Sequence, residues 1–229
     1  MAPSIFSWCH FIVRDIFACL YKNFLPYGKY VLFNKPEVCI MEAFVNYILQ
    51  FGNLNSQQIE LILSKAEKME LRKEEYFSEA GKIPRYVGFL LKGVTRFCYY
   101  NNKSEEITHS FVEENNFVSD QQKFEMQMVT SEYIQAITDC ELLVFSKKNW
   151  DEIGNTIVGW KDIENLIVKN CLMKTLERRS PLVSEDATTR YLSFINQFPG
   201  LVNRVPLSQV ASYLGITQQS LSRIRKNIR

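Results

Sequence analysis

The sequence predicts an α+β protein, in which an antiparallel β-roll with flanking helices is followed by a long helix and a C-terminal pair of short helices. Short β-rich runs separated by polar turns fill residues 69–145, a texture typical of an antiparallel roll or barrel. Apolar residues then recur at three- and four-residue steps, which indicates a long amphipathic helix. The last forty residues carry two more apolar helical faces on either side of a tight turn.

The composition is that of an ordinary water-soluble chain, since 46% of its 229 residues are hydrophobic and 23% are charged. No apolar run reaches the roughly 18 residues that a membrane span requires. The six cysteines are scattered, and the two histidines, His10 and His109, lie far apart. The sequence therefore indicates neither a disulfide scaffold nor a metal site, and we expect a cytoplasmic protein with reduced thiols and no cofactor.

The first segment, residues 1–40, differs from the rest of the chain. It is rich in aromatic residues and cysteine, lacks clear periodicity and ends just before Met41. A secretory signal fits it poorly, because no basic stretch precedes its apolar residues. We predict a doubtful extension that arises from a start codon assigned too early, with Met41 as the true beginning. The alternative is a genuine anchor or partner-binding segment.

A sensor domain is predicted over residues 41–155. Two short helical stripes open it, one through Phe44, Ile48 and Phe51 and one through Ile59, Ile62, Leu63 and Ala66. The strands of the roll follow at residues 86–91, 94–100, 107–112, 133–138 and 141–146.

A long helix is predicted over residues 156–180. Its apolar stripe consists of Ile163, Leu166, Ile167, Asn170, Met173 and Leu176. An asparagine in such a stripe can fix the register between paired helices, so we predict that this helix forms a homodimer. The alternative is a helix that packs only on its own domain. A polar break at residues 178–186, which contains Pro181, is predicted to begin the last domain, residues 181–229.

The last domain has the pattern of a helix-turn-helix. One helical face ends at Pro199 and Gly200, and a second helix begins at Pro206 and ends at Gly215. Gly215 tolerates the left-handed backbone of a tight turn, and Ala211 is small enough for a crossing helix to approach closely. Thr217 is a natural N-cap for the final helix. The predicted shared core consists of Val210, Leu214, Ile216, Leu221 and Ile224.

The opposite face of the final helix carries residue types that read nucleic acids. Glutamine pairs with adenine and arginine with guanine in the major groove, and residues near the start of a recognition helix reach the base edges. Residues 187–229 hold six basic and no acidic residues, which leaves 21 basic and 25 acidic residues in the rest of the chain. A basic end on a mildly acidic body favours binding to polyphosphate. The predicted DNA-binding residues are Thr217, Gln218, Gln219, Ser222, Arg223, Arg225 and Lys226.

Several stretches resemble the cyclic-AMP receptor and fumarate-nitrate regulator (Crp/Fnr) superfamily, in the branch common in Bacteroidetes. They are Arg190-Tyr191-Leu192, Phe198-Pro199 and Ser220-Leu221-Ser222-Arg223-Ile224, with residues 91–96 and 136–142 in the roll. The resemblance covers residues 41–229. It implies a homodimeric transcriptional regulator with a nucleotide-sensor-like roll, double-stranded DNA and RNA polymerase as partners, and Gln218, Gln219 and Arg223 at base-contacting positions.

The sequence departs from that family where cyclic nucleotides bind. Phe117-Val118-Ser119-Asp120 stands in place of a Phe-Gly-Glu segment, and Thr130, followed by Ser131 and Glu132, stands in place of the phosphate-binding arginine. A phosphate facing Glu132 would lose charge-assisted hydrogen bonds of about 1.5–3 kcal/mol each, so we predict that cyclic AMP is not the effector. An effector pocket, if formed, is predicted at Phe117, Ser119, Asp120, Thr130 and Ser131. Cys9, Cys19 and Cys39 are too widely spaced to hold an iron–sulfur cluster.

Two other classes of function compete with a DNA-binding regulator. A cupin-like metalloenzyme would need several histidines and carboxylates inside the roll, and His109 is the one histidine of the predicted roll. A binding module could instead hold a cyclic-nucleotide-like ligand or a protein partner without specific DNA binding. We favour the sequence-specific regulator, with an unknown effector.

Overall fold

The computed structural model describes residues 35–228 and, within them, the side chains of residues 41–179 and 184–228. The predicted extension therefore lies almost wholly outside the described residues. The helices are α1 (Lys35–Ile48), α2 (Ser56–Ser64), α3 (Gln121–Met126), α4 (Lys147–Thr156), α5 (Trp160–Ser184), α6 (Ala187–Gln197), α7 (Leu207–Tyr213) and α8 (Gln218–Ile228). The strands are β1 (Glu67–Leu71), β2 (Tyr76–Ser78), β3 (Tyr86–Lys92), β4 (Thr95–Tyr100), β5 (Glu106–Val112), β6 (Asn116–Val118), β7 (Tyr133–Ala136) and β8 (Cys140–Ser146).

The strands form two four-stranded antiparallel sheets, in the orders β1-β8-β3-β6 and β2-β7-β4-β5. Between the sheets lies an apolar cluster that includes Leu90, Val118, Ile134 and Leu142. Side chains on the inner faces of the two sheets pack together in this cluster, whereas β3 and β8 are buried on both faces. The predicted antiparallel β-roll is confirmed.

Gly93 forms the tight turn between β3 and β4. Its φ of +103° is a conformation that L side chains rarely adopt. A Cβ atom at Gly93 would also lie 2.5 Å from the Asp139 carbonyl oxygen and 2.6 Å from the Cys140 Sγ. Glycine is therefore required at this turn.

The helices on either side of the roll in sequence cover the outer face of the β1-β8-β3-β6 sheet. Phe44 of α1 packs edge-on against Phe89 of β3, with ring centroids 5.3 Å apart, and Trp150 of α4 packs against Trp160 of α5 at 5.4 Å. Fully burying a side chain such as Phe contributes about 1.5–3 kcal/mol. None of the helices within residues 35–228 combines the length and apolar character needed to span a bilayer.

The long helix differs from its prediction in two ways. It runs from Trp160 to Ser184, so the break predicted at residues 178–186 begins too early, and Pro181 lies inside the helix. Proline lacks a backbone amide hydrogen, so this helix has one backbone hydrogen bond fewer near its end. In addition, Ile163 and Ile167 pack into the core of their own roll and do not belong to a free stripe.

The three C-terminal helices pack around one apolar core, as predicted. Tyr191 and Phe194 of α6, Val210 of α7 and Leu221 of α8 are buried there. The same core extends to the roll, because Phe111 of β5 packs within it. The C-terminal domain is thus docked on the β2-β7-β4-β5 sheet.

We expect Glu164 to be a central polar contact of the helical layer. It is buried in α5, where its carboxylate accepts a 2.9 Å hydrogen bond from Trp150 Nε1 and a 3.1 Å bond from Gln121 Nε2. Glu164→Ala should lower the free energy of unfolding by roughly 2–3 kcal/mol, because it leaves these buried donors unsatisfied. Urea unfolding followed by tryptophan fluorescence measures this loss. Glu164→Gln, which keeps an acceptor oxygen, should lose less, and equal losses in the two variants would contradict this role.

Candidate DNA-binding surface and sensor cavity

The turn between α7 and α8 has the geometry that the sequence predicts. Gly215 has a φ of +65°, and the amide of Ile216 donates a 3.0 Å hydrogen bond to the carbonyl oxygen of Ala211. The amide of Ser220 donates to Thr217 Oγ1 at 3.1 Å, so Thr217 caps the start of α8. The predicted left-handed turn at Gly215 and the predicted N-cap at Thr217 are confirmed.

Burial of one side of α8 determines which of its residues face solvent. Leu221 is fully buried, and Ile224 packs against the same core. The opposite face is exposed and consists of Gln218, Gln219, Ser222, Arg223 and Lys226, with Thr217 exposed at its start and Arg225 half-buried at its edge. We call these seven residues the recognition face.

The cations of the recognition face are not neutralised. Within residues 41–179 and 184–228, no carboxylate lies within 4 Å of the side-chain nitrogens of Arg223, Arg225 or Lys226. An unpaired, exposed guanidinium is free to make bidentate hydrogen bonds to a base or a phosphate. The surface thus combines amide and cationic donors on one short helix.

Arg190 positions the recognition face, and sequence reasoning missed this role. Its Nη1 atom donates a 2.6 Å hydrogen bond to the carbonyl oxygen of Leu214, the residue before Gly215. The last carbonyls of a helix lack partners within it, so the α6 side chain satisfies the end of α7. The sequence analysis singled out the stretch Arg190-Tyr191-Leu192 for its family resemblance. Only the folded domain shows that the arginine contacts Leu214.

A cavity of about 290 Å³ lies between the roll and α5. Its aromatic wall consists of Phe97, His109, Phe111 and Phe117. Its polar lining includes Ser119, Asp120, Gln121, Glu132, Lys174, Thr175 and Arg178. The cavity thus pairs an apolar wall on the roll with cationic side chains on the helix.

Three of the five predicted pocket residues, Phe117, Ser119 and Asp120, line this cavity. Thr130 is buried beside it and donates its hydroxyl to Asp120 Oδ2 at 2.7 Å. The prediction that Ser131 belongs to the pocket is wrong, because its side chain is exposed and does not line the cavity. Thr130 turns inward to meet Asp120, and its neighbour Ser131 turns outward.

The charged groups of the cavity have partners that the sequence analysis did not predict. His109 Nε2 lies 3.2 Å from Glu132 Oε1, and this contact lowers the pKa of the Glu132 carboxyl. Asp120 is occupied as the N-cap of α3 and as the acceptor for Thr130. The cavity cations, Lys174 and Arg178, come from α5, which a comparison of roll motifs does not reveal.

The exposed side of α5 carries an apolar stripe that only partly matches the prediction. Five large apolar side chains are exposed there, namely Leu166, Val168, Leu172, Met173 and Leu176. Ile163 and Ile167 lie on the opposite, buried side, and Asn170 is half-buried between the two sides. That Asn170 fixes the register of a paired helix stays a prediction. We call the five exposed residues the α5 stripe.

We expect the pKa of Glu132 to depend on His109. His109→Phe, which keeps an aromatic ring beside Phe97, should raise the Glu132 pKa toward the ordinary glutamate value. Because the folded pKa is lowered, the ionised carboxylate stabilises the fold above the ordinary glutamate range, and this stability is lost as the pH falls through the folded pKa. The variant should lose less stability on acidification. Carboxyl carbon shifts measured by NMR against pH report the pKa of Glu132.

Glu114 provides the matched control for this titration. Burial raises its pKa, but the hydrogen bonds from Arg204 and from backbone amides, together with the charge of Arg204, outweigh this and leave the pKa lowered. The His109→Phe variant should leave the Glu114 pKa unchanged. A Glu132 pKa that does not move in the variant would rule out His109 as the cause.

Comparison with known proteins places the roll in a described family. Residues 68–156 match the cyclic nucleotide-binding domain. No curated protein sequence matches the chain.

Solved structures with a similar fold cover most of the chain. A Crp/Fnr-family transcriptional regulator from Eubacterium rectale is 14% identical with a TM-score of 0.63, over 80% of this chain and 87% of that one. FixK2 from Bradyrhizobium japonicum is 15% identical with a TM-score of 0.62, over 71% and 84%. The c-di-GMP-responsive global regulator CLP from Xanthomonas campestris is 16% identical with a TM-score of 0.60, over 76% and 91%.

Proposed function

Because residues 68–156 form a cyclic nucleotide-binding domain and the chain shares the fold of Crp/Fnr regulators, we propose that it is a cytoplasmic, sequence-specific DNA-binding transcriptional regulator. The observation that carries this proposal is the exposed recognition face on a short helix whose other side is locked into its domain. In this proposal α8 enters the major groove, and bound near a promoter the protein recruits or blocks RNA polymerase. The family that the roll matches is the cyclic nucleotide-binding domain. It is not the cupin-like metalloenzyme family considered above.

The recognition face divides into base-reading and phosphate-binding residues in this proposal. Gln218, Gln219 and Arg223 lie in the first half of α8, where side chains reach base edges. Lys226 lies one turn further along, where a cation meets the backbone. A DNA binder that neutralises several phosphates loses affinity steeply as salt rises, whereas a module that binds a protein partner through α8 has no such counterion release.

The α5 stripe supports a homodimer. Five large apolar side chains exposed on one helix form an apolar surface that a second copy of the same helix would bury. A two-fold dimer would present two recognition faces about 34 Å apart to a pseudo-palindromic site.

The cavity supports an effector site. Its volume of about 290 Å³ is close to the lower end of small-molecule pockets, roughly 300 Å³. Ser119 Oγ is buried there without a hydrogen-bond partner among the described residues. By the sequence resemblance, Thr130 stands in place of the arginine of cyclic-nucleotide binders, so an anionic effector would be contacted by Lys174 and Arg178. In this proposal the effector is therefore not held by the usual cyclic-AMP ligands.

Selection of duplexes from a random pool, followed by affinity measurements at several salt concentrations, tests DNA recognition. Arg223→Ala or Gln219→Ala should each relax the preference at one position of the half-site, because a good bidentate base contact discriminates by about 1–3 kcal/mol. Lys226→Ala is the matched comparison and should weaken all duplexes similarly, with a smaller salt dependence. A uniform loss from Arg223→Ala would contradict this division of labour, and a wild-type protein that prefers no duplex over random competitor would refute the proposed function.

Sedimentation equilibrium tests the dimer. The wild type should have twice the 26.8 kDa mass of the chain. Leu172→Glu should shift the protein to the monomer, because a charge in the middle of a buried apolar interface costs several kcal/mol. Leu192→Glu, at an exposed leucine of α6, is the matched control and should stay dimeric. A dimeric Leu172→Glu variant would place the interface elsewhere.

A further inference from the structure

The DNA-binding domain makes specific polar contacts with the roll of its own chain. Ser212, in α7, accepts a 2.9 Å hydrogen bond from the backbone amide of Thr108 and donates a 3.1 Å bond to the backbone carbonyl of Glu106. Both partners are main-chain groups of β5. One hydroxyl thus pairs with a donor and an acceptor of the same strand.

The β5 side of this contact is held rigid by a buried arginine. Arg96, which is only 3% exposed, donates to Thr108 Oγ1 at 2.9 Å and forms a 2.5 Å ion pair with Glu106. These are the two residues whose backbone groups meet Ser212. The strand pairing of β4 with β5 also shifts register between Phe97 and Cys98, a local irregularity that can leave backbone groups free to bond elsewhere.

A second polar contact lies at the other end of β5. Glu114 accepts hydrogen bonds from both terminal nitrogens of Arg204, which lies in the DNA-binding domain, with Nη1 at 3.0 Å from Oε2. The amide of Gly93 donates to Glu114 Oε1 at 2.8 Å and fixes the carboxylate from the roll side. Bidentate arginine–carboxylate pairs combine energy with a defined orientation. We call the Ser212 bridge and the Glu114–Arg204 pair together the inter-domain latch.

The apolar contact between the two polar ones is shared with the cavity. Phe111 lines the cavity and also packs against Tyr213, with ring centroids 5.2 Å apart. Arg178 lines the cavity and lies over the ring of Phe198, 4.4 Å from its centroid. Two side chains of the cavity wall are therefore also part of the docking surface of the DNA-binding domain.

We propose that the inter-domain latch holds the DNA-binding domain on the roll of its own chain and so sets the orientation in which the dimer presents its two recognition faces. The recognition face stays exposed while the latch is closed, so the docked arrangement is the one that binds DNA. Domains of one chain move relative to each other unless the interface between them fixes their orientation, and a mobile domain must lose that freedom on binding a two-part site. This inference rests on the proposed DNA-binding function.

Glu114→Gln changes one polar contact of the latch, and the Thr108 amide at the other contact serves as the reporter. The variant keeps an acceptor oxygen for Gly93 but loses the charge that pairs with Arg204. If the latch opens as one unit, hydrogen exchange at the Thr108 amide should accelerate about threefold to tenfold in the variant. Affinity for the selected two-half-site duplex should fall by a similar factor, while affinity for a single half-site stays unchanged. Ser212→Ala, which breaks the other contact, should lower the two-half-site affinity in the same direction.

Glu141→Gln is the matched control. It removes the charge from an ion pair of the same roll, in which Lys92 Nζ lies 3.1 Å from Glu141 Oε1, and should change neither Thr108 exchange nor DNA affinity. Unchanged Thr108 exchange in Glu114→Gln would overturn the latch as a single unit. Unchanged or tighter two-half-site binding in that variant would overturn its role in orientation. A wild type without any duplex preference would refute the DNA-binding function instead, and Thr108 exchange would still report whether the latch forms.

Discussion

The packing of Phe111 against the C-terminal helices is the contact on which the arrangement of the molecule depends. Phe111 is fully buried at the end of β5, and its ring meets Phe194, Phe198 and Tyr213 within about 6 Å. Aromatic clusters of this kind combine a large buried area with defined ring geometry. Because the cluster draws on both the roll and the last domain, the two share one core and do not merely lie side by side on a linker.

The shared core has a direct bearing on how the protein is regulated in the proposed function. An effector in the cavity would contact Phe111 and Arg178, and both side chains also contact the C-terminal helical domain. Linkage requires that any ligand that changes DNA affinity through this contact has its own affinity changed by DNA to the same degree. The coupling between effector binding and DNA binding would run within one chain, in addition to any coupling through a dimer interface on α5.

Local sequence patterns predicted the elements of the fold and the orientation of α8. The short β-rich runs between polar turns and the apolar spacing around Gly215 depend on neighbours within a few residues, so a single sequence carries them. The contacts made by Ser212, Glu114 and Lys174 could not be predicted in this way, because each joins residues far apart in the chain. The Crp/Fnr fold is shared with the solved structures, whereas the Bacteroidetes branch stays a prediction.

The errors in the sequence analysis have physical causes. A spacing of three and four residues marks apolar positions on a helix but does not tell which partner covers them, so the buried Ile163 and Ile167 were grouped with the exposed α5 stripe. The pocket was predicted from two segments of the roll alone, residues 117–120 and 130–131. Its charge is set by α5, more than forty residues further along, where sequence motifs for ligand binding by the roll do not extend.

Gly93, in the turn between β3 and β4, also affects how the C-terminal helical domain is held on the roll. Gly93 has a backbone conformation and a crowded environment that exclude a side chain, and its amide aims Glu114 toward Arg204. In the proposed function, a substitution at Gly93 would therefore weaken promoter control, although this position is remote in sequence from α8. Such a mutant would look like a defect in reading DNA, while its origin would be a distorted hairpin in the sensor.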